Sequence, residues 1–311
     1  MAPNKKKEID FLVVTGPTAT GKTKVAVDIA SKYSGEIISA DSRQIYKGMD
    51  IGTGKDLDEY SINNKKIPYH LIDILNPKEN YSVYQFQRDF LVSYNKIKDG
   101  GNLPILCGGT GLYIESILLK YKLQNSPGPN QDLRNSLEEK TTEELLEMFQ
   151  NISPEKYQDP SKKDTKNRII RSIEIELDKT AEEPDIFINQ NIDNFLVLGI
   201  KQERQDNRDL IKKRLIERID KGLIDEVRDL VNNGLHISRL DYFGLEYKFV
   251  GQYLKNEIIK EELIEKLHIA ICQFAKRQMS WFRRMEKRGI RIQWVSPDDK
   301  DTINSLVKNA I

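Results

Sequence analysis

Gly16-Pro17-Thr18-Ala19-Thr20-Gly21-Lys22-Thr23 decides the fold. The stretch satisfies G-x-x-x-x-G-K-[ST] at every fixed position, and its flanks supply the context that makes the pattern a mechanism. Before it, Phe11-Leu12-Val13-Val14-Thr15 is a short, largely β-branched apolar run of the kind that forms a buried parallel strand. After it, Val25, Ala26, Ile29 and Ala30 recur at helical spacing, which predicts a helix over residues 22–33. In a strand–loop–helix of this type the glycines let backbone amides close on a phosphate. The helix N-terminus adds positive potential, and Lys22 adds a point charge. Thr23 is placed to hold a Mg²⁺ ion.

Working outward, Glu36-Ile37-Ile38-Ser39 reads as a second strand and Leu103-Pro104-Ile105-Leu106-Cys107 as a third. Between them Val83, Phe86, Phe90 and Tyr94 mark one face of a helix over residues 83–98, which Asp99-Gly100-Gly101-Asn102 breaks. Alternating strands and helices predict an α/β fold, a P-loop NTPase-like parallel sheet flanked by helices. After Tyr121 the composition changes: Asn125-Ser126-Pro127-Gly128-Pro129-Asn130 is a breaker cluster, and residues 131–180 are charged and helical in pattern. Phe195-Leu196-Val197-Leu198-Gly199-Ile200 returns to the sheet, residues 205–288 are nearly all helix, and Arg291-Ile292-Gln293-Trp294-Val295 is a closing edge strand. The expected organisation is a core over residues 8–124 and 185–311 with a helical insertion domain over 125–184.

The 311 residues suffice for one large or two modest domains, and 38% hydrophobic with 31% charged residues describes a globular chain able to bury a core. Forty-nine Lys+Arg against 48 Asp+Glu leave a net charge of +1, so a polyanionic partner would need a local basic cluster. Cys107 and Cys272 make neither a disulfide framework nor a Cys-rich zinc site, and both are expected as buried free thiols. The lysine-bearing start lacks an apolar h-region, and no run of about 18 apolar residues occurs. The expectation is a cytoplasmic protein with no membrane contact.

An ordinary P-loop NTPase ends a neighbouring strand in an acid that helps hold Mg²⁺. Here Leu103–Cys107 runs into Gly108-Gly109-Thr110-Gly111 instead. The acid at a strand end near the P-loop is Asp41, in Ser39-Ala40-Asp41-Ser42-Arg43-Gln44-Ile45-Tyr46. It suits metal binding or general-base work on a nucleophile; a turn or N-cap role is the alternative. The residues alone reach a P-loop transferase or kinase.

Gly16–Thr23, Asp41–Tyr46, Ile67-Pro68-Tyr69-His70-Leu71-Ile72-Asp73 and Gly108-Gly109-Thr110-Gly111-Leu112-Tyr113 together resemble the tRNA dimethylallyltransferase family, in order and spacing. Asn167-Arg168-Ile169-Ile170-Arg171, Gly222-Leu223-Ile224-Asp225-Glu226-Val227, Ala275-Lys276-Arg277-Gln278 and Trp281-Phe282-Arg283 extend the likeness, which spans about residues 11–285. Tyr69 stands where the common form has a second His, and Phe243-Gly244-Leu245-Glu246-Tyr247-Lys248 departs from a shorter Gly-Tyr element. No Cys/His cluster matches the zinc finger of eukaryotic relatives, so a bacterial form is expected.

The resemblance implies that the loop Gly16–Thr23 grips the diphosphate of dimethylallyl diphosphate. Asp41 would take the proton from an adenine N6 amine as that amine attacks C1 of the donor. Thr18 is implied near the amine, Thr110 near the flipped base, and Arg208 on the diphosphate. On the RNA side it implies Asp41, Ser42, Arg43 and Gln44 near the target base, and Arg134, Asn167, Arg168, Ile169, Ile170 and Arg171 along the backbone. Lys276, Arg277 and Gln278 open a stretch to Arg288 with six basic residues and one acid, interleaved with Trp281 and Phe282. Basic residues suit phosphates and planar groups suit bases, although a solvated helix with an aromatic core face has the same pattern. The implied product is N6-dimethylallyladenosine 3′-adjacent to the anticodon, in tRNAs reading codons that begin with U, made by a monomer on the anticodon stem-loop. The alternatives are an adenylate prenyltransferase that makes cytokinin, an ATP-dependent small-molecule kinase, and a non-catalytic P-loop RNA-binding module.

Overall fold

The computed structural model describes residues 8–62, 64–123, 130–177 and 185–311, in two compact units. The first comprises Met1–Tyr121 with Asn189–Ile311, and the second Lys122–Ile188.

Within the first unit, β1 (Phe11–Thr15), β2 (Gly35–Ser39), β5 (Tyr69–His70), β6 (Leu103–Gly108), β7 (Phe195–Ile200) and β8 (Ile292–Val295) form one sheet. A small hairpin, β3 (Ser61–Ile62) and β4 (Lys65–Lys66), stands apart from it. The sheet order is β5-β2-β6-β1-β7-β8 and the pairings are all parallel. β1 lies centrally, with Val13 opposite Leu106 on one side and Val197 on the other. All five of its residues are buried, which explains an unbroken apolar run where a half-exposed strand would alternate. Helices α1 (Lys22–Lys32), α2 (Val83–Asp99) and α3 (Gly111–Leu118) connect the first strands. Ser82 and Gln85 close α2 with a capping box, and its Phe86, Phe90 and Tyr94 are buried.

After β7 come α8 (Arg204–Asp220), α9 (Leu223–Asn232), a 3-10 helix (Ile237–Phe243), α10 (Leu245–Leu254), the long α11 (Lys260–Lys287) and α12 (Lys300–Lys308). No helix among the described residues is long and apolar enough to cross a membrane. Cys107 is buried as expected, whereas Cys272 is only half-buried, because it lies on the flank of α11 beside His268.

The second unit holds α4 (Gln131–Glu138), α5 (Thr142–Ile152), α6 (Pro154–Tyr157) and α7 (Lys166–Leu177) around Leu137, Leu145, Phe149, Ile169, Ile170 and Ile173. Asn130 caps α4 by accepting from the Leu133 amide; the rest of the breaker cluster, and residues 178–184, lie outside the described residues.

A parallel sheet has one functional consequence. The C-terminal ends of β1, β2, β6 and β7 share one edge, so the residues that follow them meet there. Gly16, Ala40-Asp41 and Gly109-Thr110 are those residues.

Candidate active site

The loop after β1 is built from close approaches. A side chain at Gly16 (φ 155°) would bring its Cβ to 2.3 Å from the Ile200 carbonyl oxygen on β7. A Cβ at Gly108 would lie 2.2 Å from the Ala40 oxygen. Both are therefore glycine for steric reasons. Ala19 (φ 63°) and Gly21 (φ 78°) take left-handed backbone, and Gly21 caps α1. Left-handed residues just before a helix N-terminus are the backbone geometry from which anion-binding concavities are built. Thr20 Oγ1 donates to the Pro17 carbonyl (3.0 Å), and Lys22 Nζ donates to the same oxygen (3.3 Å). Burial pushes the Lys22 ammonium below its ordinary pKa; Arg214 adds to this, while Asp41 and Glu59 oppose it. These four charges therefore share one neighbourhood.

Two side chains from distant helices hold Thr18. Its amide donates to Gln278 Oε1 (2.9 Å), and its carbonyl accepts from Asn207 Nδ2 (3.0 Å). Gln278 Nε2 also donates to the Gly109 carbonyl (2.9 Å), so one buried amide ties the phosphate loop to the end of β6.

Asp41 follows β2. One carboxylate oxygen accepts from the Arg43 amide (2.9 Å), so Asp41 takes the turn role while its charge lies within range of Lys22. The Ser42 amide donates to Thr110 Oγ1 (3.1 Å), and the Thr110 amide donates to the Ala40 carbonyl (3.1 Å). The ends of β2 and β6 are thereby locked together, with Ser42 and Thr110 side by side.

Other sequence expectations need correction. Arg208 is exposed on α8, with its carbonyl 3.3 Å from His268 Nε2, and its neighbour Asn207 makes the loop contact. The arginine beside Lys22 is Arg214, six residues on, which donates to Asp56 Oδ2 (2.5 Å). Gln44 is engaged within the protein: its Oε1 accepts from Ser39 Oγ and its Nε2 donates to the Gly54 carbonyl, each at 3.1 Å. Gln278 is buried rather than displayed, and Phe282 is wholly buried against Trp294, leaving Lys276 and Arg277 exposed. Ile169 and Ile170 (0% and 3% exposed) belong to the core of the second unit, because the face of α7 they occupy packs on α5.

Asn167 and Arg168 are exposed on α7, and Arg168 pairs with Asp164. Arg134 makes a two-pronged ion pair with buried Glu174 (2.7 Å for each bond), which Arg171 joins at 3.1 Å. Burial pushes Glu174 up, but hydrogen bonds from both arginines hold it below the ordinary carboxylate value.

The loop between β2 and β5 is anchored by Lys55, which no motif flags, and by Glu226 from the Gly222–Val227 segment. Buried Lys55 donates to the Tyr46 carbonyl (2.5 Å), to Asp50 (3.0 Å) and to Asp73. Glu226 on α9 accepts from the amides of Asp50 (2.8 Å), Ile51 (2.7 Å) and Gly52 (3.0 Å). A short run in which each amide meets one carboxylate is a rigid turn, and this one fixes the backbone that follows Asp41.

A family model described as IPP transferase matches residues 44–285, and one described as isopentenyl transferase matches residues 9–69. The chain is 48% identical over 289 residues to tRNA dimethylallyltransferase 1 of Parabacteroides distasonis, covering 93% of each. It is 44% identical over 306 residues to tRNA dimethylallyltransferase 1 of Syntrophus aciditrophicus, covering 96% of this chain and 97% of that one. Among solved structures, the full-length tRNA isopentenylpyrophosphate transferase from Bacillus halodurans aligns with a TM-score of 0.68 at 30% identity, over 97% of this chain and 95% of that one.

Proposed function

The chain belongs to the IPP transferase family of prenyl-transferring enzymes, and we propose that it moves a dimethylallyl group from dimethylallyl diphosphate to N6 of an adenosine in tRNA. The target is the adenosine 3′-adjacent to the anticodon in tRNAs reading codons that begin with U, and the products are N6-dimethylallyladenosine and diphosphate. One observation supports this reading: the loop Gly16–Thr23 and Asp41 follow parallel strands, β1 and β2, at one end of the sheet, with Asp41 within electrostatic range of Lys22, while β6 runs into Gly109-Thr110 without the acid of an ATP-hydrolysing site.

The amine nitrogen attacks C1 of the donor, the C1–O bond to diphosphate breaks, and the N6 proton passes to Asp41. Asp41 is held for this by the Arg43 amide on one oxygen, which leaves the other to accept the proton. The loop amides, Lys22 and Arg214 stabilise the charge that develops on the leaving diphosphate. A lowered Lys22 pKa marks an ammonium poorly solvated by water and strongly responsive to an anion.

A Mg²⁺ ion fits the residues present only if it is shared with the substrate. Among the described residues no group of three or more His, Cys, Asp or Glu side chains could hold a metal. Thr23 supplies a hydroxyl in the first turn of α1, and Mg²⁺ is commonly held by few protein oxygens plus substrate phosphates. When bound, the ion neutralises diphosphate charge.

On the acceptor side, the adenine must leave its stack in a single-stranded loop, where its edge becomes readable. Ser42, Arg43 and Thr110 rim the Asp41 position, and Lys276 and Arg277 offer exposed charge to RNA phosphates. The reading includes a monomeric, cytoplasmic enzyme. Diphosphate release tests it: release should require donor, Mg²⁺ and tRNA together. Release with AMP in place of tRNA would move the protein to adenylate prenylation, and phosphoryl transfer from ATP would move it to the kinases.

A further inference from the structure

Tyr242, in the last turn of the 3-10 helix, is 39% exposed yet tightly held. Its hydroxyl lies 3.2 Å from that of fully buried Tyr46. Its ring stands edge-on to Tyr46 (centroids 6.3 Å apart) and to Phe243 (5.4 Å). Two guanidiniums sit over the ring, Arg43 at 5.0 Å and Arg239 at 5.2 Å from its centroid. They differ in their other partners. Arg239 donates to the Pro77 carbonyl (2.7 Å), to the Glu79 carbonyl and to Asn80 Oδ1 (3.1 Å), which makes it a structural clamp. The Arg43 guanidinium stacks on the ring and, among the described residues, forms no hydrogen bond or ion pair.

The position of Arg43 gives this meaning. It lies two residues after Asp41 and donates its amide to that carboxylate at 2.9 Å. Buried Tyr113 lies within electrostatic range of Tyr242, Arg43 and Asp41, so these groups share one neighbourhood. A guanidinium stacked on an aromatic face keeps its in-plane N–H donors available, and those donors match a phosphate.

We propose that Tyr242 is a positioning residue that holds Arg43 at the rim of the Asp41 site, where the guanidinium engages a phosphate of the RNA strand flanking the target adenine. This rests on the reading that the acceptor is RNA. Without the ring, Arg43 would sample many rotamers, and ordering it on binding would weaken the contact.

The test is the affinity for an anticodon stem-loop RNA as a function of salt. Arg43→Ala should weaken binding about tenfold. It should also reduce the slope of log K against log salt by about 0.7, the share of one single-strand phosphate. Tyr242→Leu should reproduce both changes, Tyr242→Phe should retain the wild-type slope, and the double variant Arg43→Ala/Tyr242→Leu should bind no worse than Arg43→Ala. If Tyr242→Leu does not fold, Tyr242→Met takes its place, since it keeps bulk without a π face. A wild-type slope in Arg43→Ala or in the Leu or Met variant, or additive losses in the double variant, would overturn the inference. Failure of the wild-type protein to bind the stem-loop would instead sink the RNA reading itself.

Discussion

Replacing Gln278 with Ala should loosen the phosphate loop. The amide of Gln278 accepts from Thr18 N–H and donates to the Gly109 carbonyl, each at 2.9 Å, and the residue is 8% exposed. Each lost hydrogen bond costs about 1 kcal/mol net, and a buried group left without a partner costs about 1–3 kcal/mol. Gly109 is buried and Thr18 half-buried, so the sum is about 3 kcal/mol. At roughly 2–4 °C per kcal/mol for a unit of this size, thermal unfolding should begin roughly 6–12 °C lower. Donor binding should suffer separately. Re-ordering one freed residue costs about 1–2 kcal/mol, so Kd for the diphosphate, measured by calorimetry, should rise about tenfold. Gln278→Glu keeps the acceptor for Thr18 N–H but turns an oxygen toward the Gly109 carbonyl and adds negative charge beside the loop. It should bind donor more weakly than the Ala variant. Wild-type melting and donor affinity in Gln278→Ala would refute the claim that this bridge shapes the loop.

Asp41→Asn keeps an acceptor for the Arg43 amide, so tRNA affinity should stay within about threefold while turnover falls by at least about a hundredfold; a variant that prenylates normally removes Asp41 from the chemistry. Arg214→Ala should raise the donor KM about tenfold, as loss of a charged hydrogen bond would. Arg208→Ala should leave it unchanged, and the opposite pattern in steady-state kinetics would restore Arg208 to the site. Burial pushes Glu36 up, but hydrogen bonds from His70 (2.7 Å) and Asn102 (2.7 Å) hold it below its ordinary value of 4.5. A depressed carboxylate stabilises the fold above its unfolded pKa and loses that contribution as pH falls through the folded one. The urea midpoints of wild type and Glu36→Gln should therefore differ most above the ordinary value of 4.5 and converge as pH falls below it; a constant gap would contradict the linkage.

The sheet was legible because strands buried on both faces carry unbroken apolar runs, and Phe11–Thr15, Leu103–Cys107 and Phe195–Ile200 stand out for that reason. Tyr69–His70 was not, since two residues have no periodicity, and its place at the sheet edge follows from pairing with Ile37 and Ile38. The short helix Gly111–Leu118 was missed because it is buried on nearly every side and shows no polar stripe. Lys300–Lys308 is a short amphipathic helix that buries only Ile303 and Val307, too few apolar positions to mark a period.

The strand–loop–helix around Gly16–Thr23 was readable since its signal is local: glycines, Lys22 and a helix start within eight residues. Asn207 and Gln278 act on Thr18 from 189 and 260 residues away, and no local pattern announces such a bridge. Arg208, Arg214 and Arg218 share α8, and only its packing decides which of them turns toward Lys22. Ile169 and Ile170 sit inside a basic motif, yet helical geometry sends them into the core while Asn167 and Arg168 face outward.

The most direct measurement is mass analysis of nucleosides from unmodified tRNA incubated with the protein, dimethylallyl diphosphate and Mg²⁺. The account predicts adenosine carrying one dimethylallyl group, recovered from the anticodon-loop fragment and missing when Asp41→Asn replaces the wild-type protein. Unmodified tRNA after incubation with wild type, or prenylated AMP in a parallel reaction with none from tRNA, would contradict it.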